Sequence, residues 1–254
     1  MAKYNRFHNR FENRSDRLID ECGSILADGS RIISRIGHAT RLDNSRILFT
    51  YHANYYEQNT NDIILSKKLS YLLRHGAIKE YLNIKPNGFV AVDEVLRKLQ
   101  CHYTLDDIKR VVETNNKQRF TLKTTNGILE IKANQGHSIS NITELSLKVL
   151  DYVDCDIIHG TYFENWRTIK TEGLSRMRRN HIHFAKGLNF VCGLRHTAEL
   201  FIYINFDKAK QDGLTFFESE NGVILSPGNA RGFIETKYFL KVFTKDGQAL
   251  MWNY

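Results

Sequence analysis

The spacing of apolar residues in this 254-residue chain changes period once, and that change limits what the chain can fold into. From Asp62 to Val112 apolar residues recur three and four apart, as in Leu65, Leu69, Leu72 and Leu73 and again in Leu105, Ile108, Val111 and Val112. That is the period of helices with one buried face. Beyond about residue 147 the pattern gives way to short apolar runs separated by turn sequences, among them Asp212-Gly213, Asn221-Gly222 and Pro227-Gly228. Helices first and strands second describe an α+β chain whose sheet is mostly antiparallel, not an alternating parallel fold.

Local signals fill in this outline. Asp62 is expected to cap a first helix that Gly76 stops, which leaves Arg74 and His75 in its last turn. Phe89 to Val92 reads as extended, Asp93 as the cap of a helix through Leu99, and Thr104 as the cap of a third helix. Arg119–Leu122 and Ile128–Ile131 flank Asn126-Gly127, a strong hairpin signal. Helices followed by a hairpin predict a winged-helix-like lobe over residues 62–137, with Asn134–Ser138 as a polar crossover. Residues 147–254 then form a β lobe, with strands expected at Asp156–His159, His181–Ala185, Leu200–Phe206, Thr215–Ser219, Val223–Ser226, Gly232–Glu235 and Tyr238–Phe243. One helix, about Tyr162 to Thr171, stops before Gly173. Residues 1–61 carry only isolated apolar patches such as Ile47-Leu48-Phe49 and are expected to be an extension, partly disordered at its tip.

Composition excludes several classes. No apolar run approaches the length of a membrane span, and the basic start has no apolar stretch behind it to make a secretory signal. Cys22, Cys101, Cys155 and Cys192 are scattered without a CxxC pair, so neither a disulfide framework nor a zinc site is expected. A reducing, intracellular and cytoplasmic setting with no membrane follows as the expectation. The formal charge of +8 favours polyanionic partners.

Several segments could carry chemistry, though each has an ordinary reading when taken alone. Arg74-His75 at a helix end can simply compensate the helix dipole, or can offer a bidentate phosphate fork beside a proton carrier. Arg119 can be an edge arginine on a solvated face. Arg176, Arg178 and Arg179 repel one another within four residues, so a loop that keeps them either is solvated or shares an anion. His159-Gly160-Thr161 at a strand end lets a ligand approach the backbone between two polar side chains. His181 and His183 have the spacing of a metal pair, but no third ligand is evident and no metal is expected. Neither a GxGxxG nor a phosphate-binding lysine loop is present.

In combination these segments resemble the RNA 2′-phosphotransferase family over about residues 63 to 243. The resemblance rests on Leu65-Ser66-Lys67 with Leu73-Arg74-His75, Gly88-Phe89-Val90 with Val92-Asp93, Arg119-Phe120, and Ala133 through Ser138. It continues through His159-Gly160-Thr161, Gly173-Leu174, Met177, Arg179 through His183, and Ser219 with Asn221 through Leu225. The resemblance implies an N-terminal winged-helix RNA-binding lobe joined to a C-terminal ADP-ribosyltransferase-like lobe that holds NAD⁺ as co-substrate. The implied partner is RNA bearing an internal 2′-phosphate, as at a tRNA splice junction. The implied reaction passes through an RNA-2′-phospho-ADP-ribose intermediate to 2′-hydroxyl RNA, nicotinamide and ADP-ribose 1″,2″-cyclic phosphate. Arg74, His75, Arg119 and Arg179 are the implied catalytic residues, with His75 moving a proton. His159, Gly160, Thr161, His183, Ser219 and Asn221 are the implied NAD⁺ contacts, with Arg195-His196 a weaker carry-over. Val223 stands where many ADP-ribosyltransferases place a catalytic glutamate, which counts against protein modification. Lys132 departs from the pattern, replacing an arginine that members often carry before Ala-Asn-Gln-Gly. The alternatives are an ADP-ribosyltransferase acting on nucleic-acid ends or another acceptor, and a non-catalytic winged-helix nucleic-acid-binding protein.

Overall fold

The period change in the sequence becomes two large hydrophobic clusters, with a small third one around Val223, and a polar segment between the large two. A computed structural model describes residues 59–100 and 102–252. The expectations for residues 1–58, and Cys22 and Cys101, lie outside these described residues.

The first helix, α1, occupies residues 59–71 and runs directly into a π-turn, Leu72–Gly76. Because the helix is already running at residue 59, Asp62 does not cap it. Asp62 instead holds Arg110 through a two-oxygen pair, at 2.7 Å from Nη2. Gly76 does end the element, but not as a left-handed stop: the next residue, Ala77, keeps right-handed helical angles. The glycine is needed for space, since a Cβ there would stand 2.7 Å from the Tyr71 ring. The π-turn carries Arg74 and His75, whose partners lie in the polar segment Asn134–Ser138.

Strand β1, Val90–Ala91, leads straight into α2, Val92–Lys98. Asp93 lies inside the first turn and makes no cap bond; the N-cap is Ala91. Thr104 does cap α3, Leu105–Thr114, through a capping box with Asp107. Two orphan N–H groups are satisfied there at once, a contribution of about 1 kcal/mol. Strands β2, Phe120–Thr125, and β3, Ile128–Ala133, pair in register Phe120↔Ala133 to Thr125↔Ile128. Asn126 (φ 50°) and Gly127 (φ 79°) both adopt the positive φ that a type I′ turn demands. β1 adds to β3 in the order β1-β3-β2. Leu65, Leu69 and Leu73 of the first helix and π-turn meet Ile108 and Ile131 in a core with no exposed surface. Each such side chain contributes about 1.5–3 kcal/mol on burial.

The second cluster is organised by a seven-stranded sheet in which every paired neighbour is antiparallel. Its strands are β4 (Lys148–Val149), β5 (Ile157–Thr161), β7 (Ile182–Lys186), β8 (Leu200–Ile204), β9 (Phe217–Glu218), β10 (Ile224–Ser226) and β12 (Phe239–Thr244). The order is β12-β8-β5-β7-β10-β9-β4, which puts β5 and β7 side by side near the centre. A two-stranded piece, β6 (Leu174–Ser175) with β11 (Phe233–Ile234), lies apart. Helix α4, Phe163–Glu172, ends at Gly173, where φ is 91° and a Cβ would meet the Ile234 carbonyl at 2.3 Å. The expected strand through Phe206 is cut short: Asn205 caps a short helix α5, Phe206–Gln211, by accepting from the Lys208 N–H. Among the described residues no helix is long and apolar enough to cross a membrane.

Candidate functional site

The polar segment Asn134–Ser138, with the Ile139 that follows it, ties the site together. Gly136 has φ 92°, and a Cβ there would stand 3.3 Å from Cδ and Nε of Arg74. Its lack of a side chain therefore lets the backbone lie against the arginine. The Ser138 N–H donates to the Arg74 carbonyl (2.9 Å), and the Ser138 hydroxyl lies 2.9 Å from Nδ1 of His75. The segment thus orients both members of the Arg-His pair. On its other side the His137 carbonyl accepts from the Asn180 N–H (2.9 Å), and the Ile139 carbonyl accepts from Asn180 Nδ2 (3.3 Å). Asn180 follows Arg179 directly, so the same segment tethers the arginine loop. Arg119 arrives from the third direction, at the start of β2: its carbonyl accepts from Asn134 N–H, and Asn115 Oδ1 accepts from its Nη1 at 3.1 Å.

This convergence creates a strong local positive field. The Arg74 guanidinium is pushed down to about 10, first by burial and then by Arg119 and Arg179. Its Nε and Nη2 are both buried with no protein partner. Buried charged donors without acceptors are costly unless something else supplies the acceptors. Arg119 and Arg179 are lowered in turn by partial burial. His75 is held below its usual range, by desolvation first and then by Arg179 and Arg74, so the ring is neutral at neutral pH and able to take a proton. His137 is 2% exposed, and neither of its ring nitrogens has a partner. Burial, then Arg74 and His75, depress it to about 3.

Beside this cluster lies a cavity of about 700 Å³ whose lining includes His159, Gly160, Thr161, Arg179, His183 and Arg195. The adjacency of β5 and β7 explains why: they carry His159, Gly160, Thr161 and His183 on neighbouring strands. The His183 carbonyl accepts from His159 Nδ1 at 2.9 Å, so the proton of the neutral ring sits on Nδ1 and Nε2 is left as an acceptor. Burial, outweighing that carbonyl, keeps His159 neutral. His183 is lowered well below its ordinary value, by burial and then by Arg179 and Arg74, and its Nε2 is buried without a partner. Gly160 lines the cavity, but where its Cβ would stand lie Leu194 Cδ2 (2.8 Å) and Ala198 Cβ (3.1 Å). The absent side chain therefore makes room for packing. A second cleft of about 480 Å³ reaches from Arg119 past Ser66, Lys67, Ser70 and Asn116.

Ser219 and Asn221 lie elsewhere. Both are buried; Ser219 Oγ bonds Asn221 Oδ1 (2.8 Å), and the Lys117 carbonyl accepts from Asn221 Nδ2 (2.9 Å). They stitch the β9–β10 turn to the loop before Arg119 and do not line the 700 Å³ cavity. Cys192 Sγ donates to the same Lys117 carbonyl at 3.3 Å, and Lys117 Nζ donates to the Leu194 carbonyl at 3.1 Å. Lys132, 2% exposed, reaches Glu220 Oε1 at 2.6 Å, and Glu220 Oε2 also accepts from the Thr121 hydroxyl at 3.0 Å. Val223 is fully buried in a small apolar cluster with Cys192 and Leu225. Of Arg195-His196, Arg195 lines the cavity and His196 does not. Sequence reasoning did not find the roles of Ser138, Asn180 or Glu220. The dense polar run Asn134–Ser138 was the signal for the first of these; the others are surface-type residues whose partners are distant in sequence.

With the geometry established, comparison with known proteins becomes informative. The sequence profile of the RNA 2′-phosphotransferase, Tpt1/KptA family matches residues 60–228. A tRNA 2′-phosphotransferase 1 from Danio rerio is 44% identical over 193 residues, covering 72% of this chain and 85% of its own. The protein of the same name from Homo sapiens is 42% identical over 193 residues, covering 72% and 76%. A tRNA 2′-phosphotransferase from Saccharomyces cerevisiae is 36% identical over 185 residues, covering 67% and 80%.

Proposed function

This chain belongs to the RNA 2′-phosphotransferase family, and on that premise we propose that its arginine cleft removes an internal 2′-phosphate from RNA, of the kind left at a tRNA splice junction, using NAD⁺. The observation that carries this reading is Arg74: two buried guanidinium nitrogens without acceptors, facing two further arginines. A phosphate dianion is the ligand that three converging guanidinium groups fit, because each planar fork can engage two oxygens. The products are 2′-hydroxyl RNA, nicotinamide and ADP-ribose 1″,2″-cyclic phosphate.

The residues present also fit NAD⁺. The 700 Å³ cavity is of ligand size, adjoins Arg179, and offers His183 Nε2 as a buried polar atom that needs a partner. His159, Gly160, Thr161 and His183 would hold the nicotinamide side, with His159 presenting its Nε2 lone pair. When bound, NAD⁺ supplies an electrophilic ribose carbon and a neighbouring hydroxyl that carries the phosphate away. Arg74, Arg119 and Arg179 bind and orient the phosphate and stabilise its redistributing charge. Neutral His75, its ring fixed by Ser138, accepts the proton that the attacking hydroxyl must lose. The cleft that begins at Arg119 gives the RNA strand a polar path away from the site.

The same reading assigns residues 62–137 to a winged-helix-like RNA lobe and residues 147–254 to an ADP-ribosyltransferase-like lobe. It is supported by the separate hydrophobic clusters and by the helix-plus-hairpin and antiparallel-sheet architectures. Ser219 and Asn221 then serve the NAD⁺ side by fixing the seam between the lobes. The test is incubation with a 2′-phosphorylated oligoribonucleotide with and without NAD⁺. Nicotinamide release together with the cyclic phosphate product is expected; folded protein that removes no phosphate when NAD⁺ is added would sink the proposal. Stable ADP-ribosylated RNA without cyclic product would point to the transferase alternative.

A further inference from the structure

We propose that Arg176 is a positioning residue for Arg179, acting through that arginine's backbone and not on the substrate; the idea rests on the functional reading above for what Arg179 does. Arg176 and Arg179 bound a four-residue turn that is closed twice. The Arg179 N–H donates to the Arg176 carbonyl at 3.0 Å, and the Arg176 guanidinium returns to the same residue, donating from Nη1 to the Arg179 carbonyl at 2.8 Å. Between them Met177 sits at φ 54°, a left-handed conformation unfavourable for a side-chain-bearing residue. A turn holding such a residue needs external support, and the second closure gives it.

Arg176 is itself anchored. Its N–H donates to the Gly232 carbonyl at 3.0 Å, and its side chain lies across Gly232 where a Cβ would come within 2.6 Å of Nε. Gly232 has φ 81° and is held in turn by its N–H to the Asn229 carbonyl at 2.7 Å. A chain of contacts therefore runs from the Asn229–Gly232 turn through the Arg176 stem to the Arg179 carbonyl. On the far side of Arg179, Asn180 is bound to the carbonyls of His137 and Ile139. Arg179 is thus clamped on both sides, by Arg176 from the sheet and by Asn180 from the polar segment. Three cationic side chains in one loop need not all bind the ligand: Arg178 lies outside the 700 Å³ cavity, and Arg176, which lines it, commits its Nη1 to the Arg179 carbonyl.

A double-mutant cycle with Arg176→Met and Arg179→Ala, in the full chain, separates positioning from direct contact. Displacement of a reacting group by about an ångström costs on the order of 100-fold, so Arg176→Met is expected to lower kcat by about 10- to 100-fold on that scale, with KM for the RNA moving far less. In the Arg179→Ala background the same change is expected to add nothing, in kcat or in the affinity for a 2′-phosphorylated oligoribonucleotide measured without NAD⁺. Multiplicative losses would overturn the proposal, because they would mean that Arg176 meets the substrate itself. Arg176→Lys keeps the charge but replaces the fork with a flexible ammonium; full activity in that variant would overturn it too. Gly232→Ala attacks the anchor from the other side and is expected to reproduce the Arg176→Met kinetics, with wild-type kinetics counting against the idea. If wild-type protein fails to turn over the RNA, the functional reading fails, and the binding cycle still judges Arg176.

Discussion

Replacing Glu220 by glutamine should destabilise the protein more than replacing its partner Lys132 by methionine. The Lys132 side chain is 3% exposed and that of Glu220 is 35% exposed, with 2.6 Å between the charged atoms. Removing one member of a fully buried pair costs about 3–5 kcal/mol, because an uncompensated charge is left behind. Glutamine keeps a neutral acceptor for the ammonium, and water reaches the partly exposed Glu220 position. The expected loss is therefore nearer the worth of a hydrogen bond to a charged group, about 1.5–3 kcal/mol. A domain of this size loses about 2–4 °C of Tm per kcal/mol, so Glu220→Gln should melt several degrees lower. Lys132→Met removes the buried charge together with the ammonium's 4.9 Å approach to the Phe89 ring, keeps an apolar stem, and leaves a carboxylate that water can solvate. Its cost should fall below that of Glu220→Gln, and the double variant should recover part of the loss. Chemical denaturation of the four proteins, with unchanged m-values, measures this directly. Equal costs for the two single variants, or a Glu220→Gln cost under about 0.5 kcal/mol, the range of an ordinary surface change, would refute the argument from asymmetric burial.

Two further outcomes follow from the site. Arg119→Ala should lower turnover by about 10²–10³-fold, as loss of one charge-stabilising donor does, while the melting temperature stays within a degree or two of wild type; near-wild-type kinetics would remove Arg119 from the phosphate clamp. His137 gives a pH signature. Its native value of about 3 lies below the ordinary 6.5, so between those values the unfolded chain binds the extra proton. Its contribution to stability is then fully present above 6.5 and declines as pH falls toward 3. The slope is up to about 1.4 kcal/mol per pH unit. His137→Phe should flatten the loss of unfolding free energy between neutral pH and the mildly acidic range, where most carboxylates stay ionised; an unchanged slope would contradict the assignment.

Much of this architecture was legible before any coordinates, for identifiable reasons. Thr104 and Asn126-Gly127 are local signals, complete within a few residues, and both performed as read; the reciprocal bond from Asp107 is what the structure adds. Asp62 and Asp93 were misread because an acidic residue ahead of an apolar run serves equally well as an ion-pair partner or a first-turn residue. The helix at Phe206–Gln211 escaped notice because two buried residues, Phe206 and Ala209, make too short a pattern to separate from a strand end. At the site, the family resemblance, not residue type alone, singled out Arg74, Arg119 and Arg179, and nothing local says that they meet. Their meeting depends on Gly136, Ser138 and Asn180, whose bonds span long separations in sequence.

The Lys117 carbonyl, which accepts from both Asn221 and Cys192, gives the seam a built-in chemical clock. The Cys192 thiol is 7% exposed, and burial raises its pKa above the ordinary value, so it stays protonated and out of reach while its surroundings stay packed. An alkylating reagent can capture this sulfur only when the packing around it opens. Site-resolved labelling at Cys192 therefore counts openings around the Lys117 carbonyl, and anything that ties these segments together must slow the count. Under the proposed function, a phosphate held by both Arg119 and Arg179 is such a tie. A buried thiol becomes the reporter of when the loop before Arg119 and the β9–β10 turn are held together.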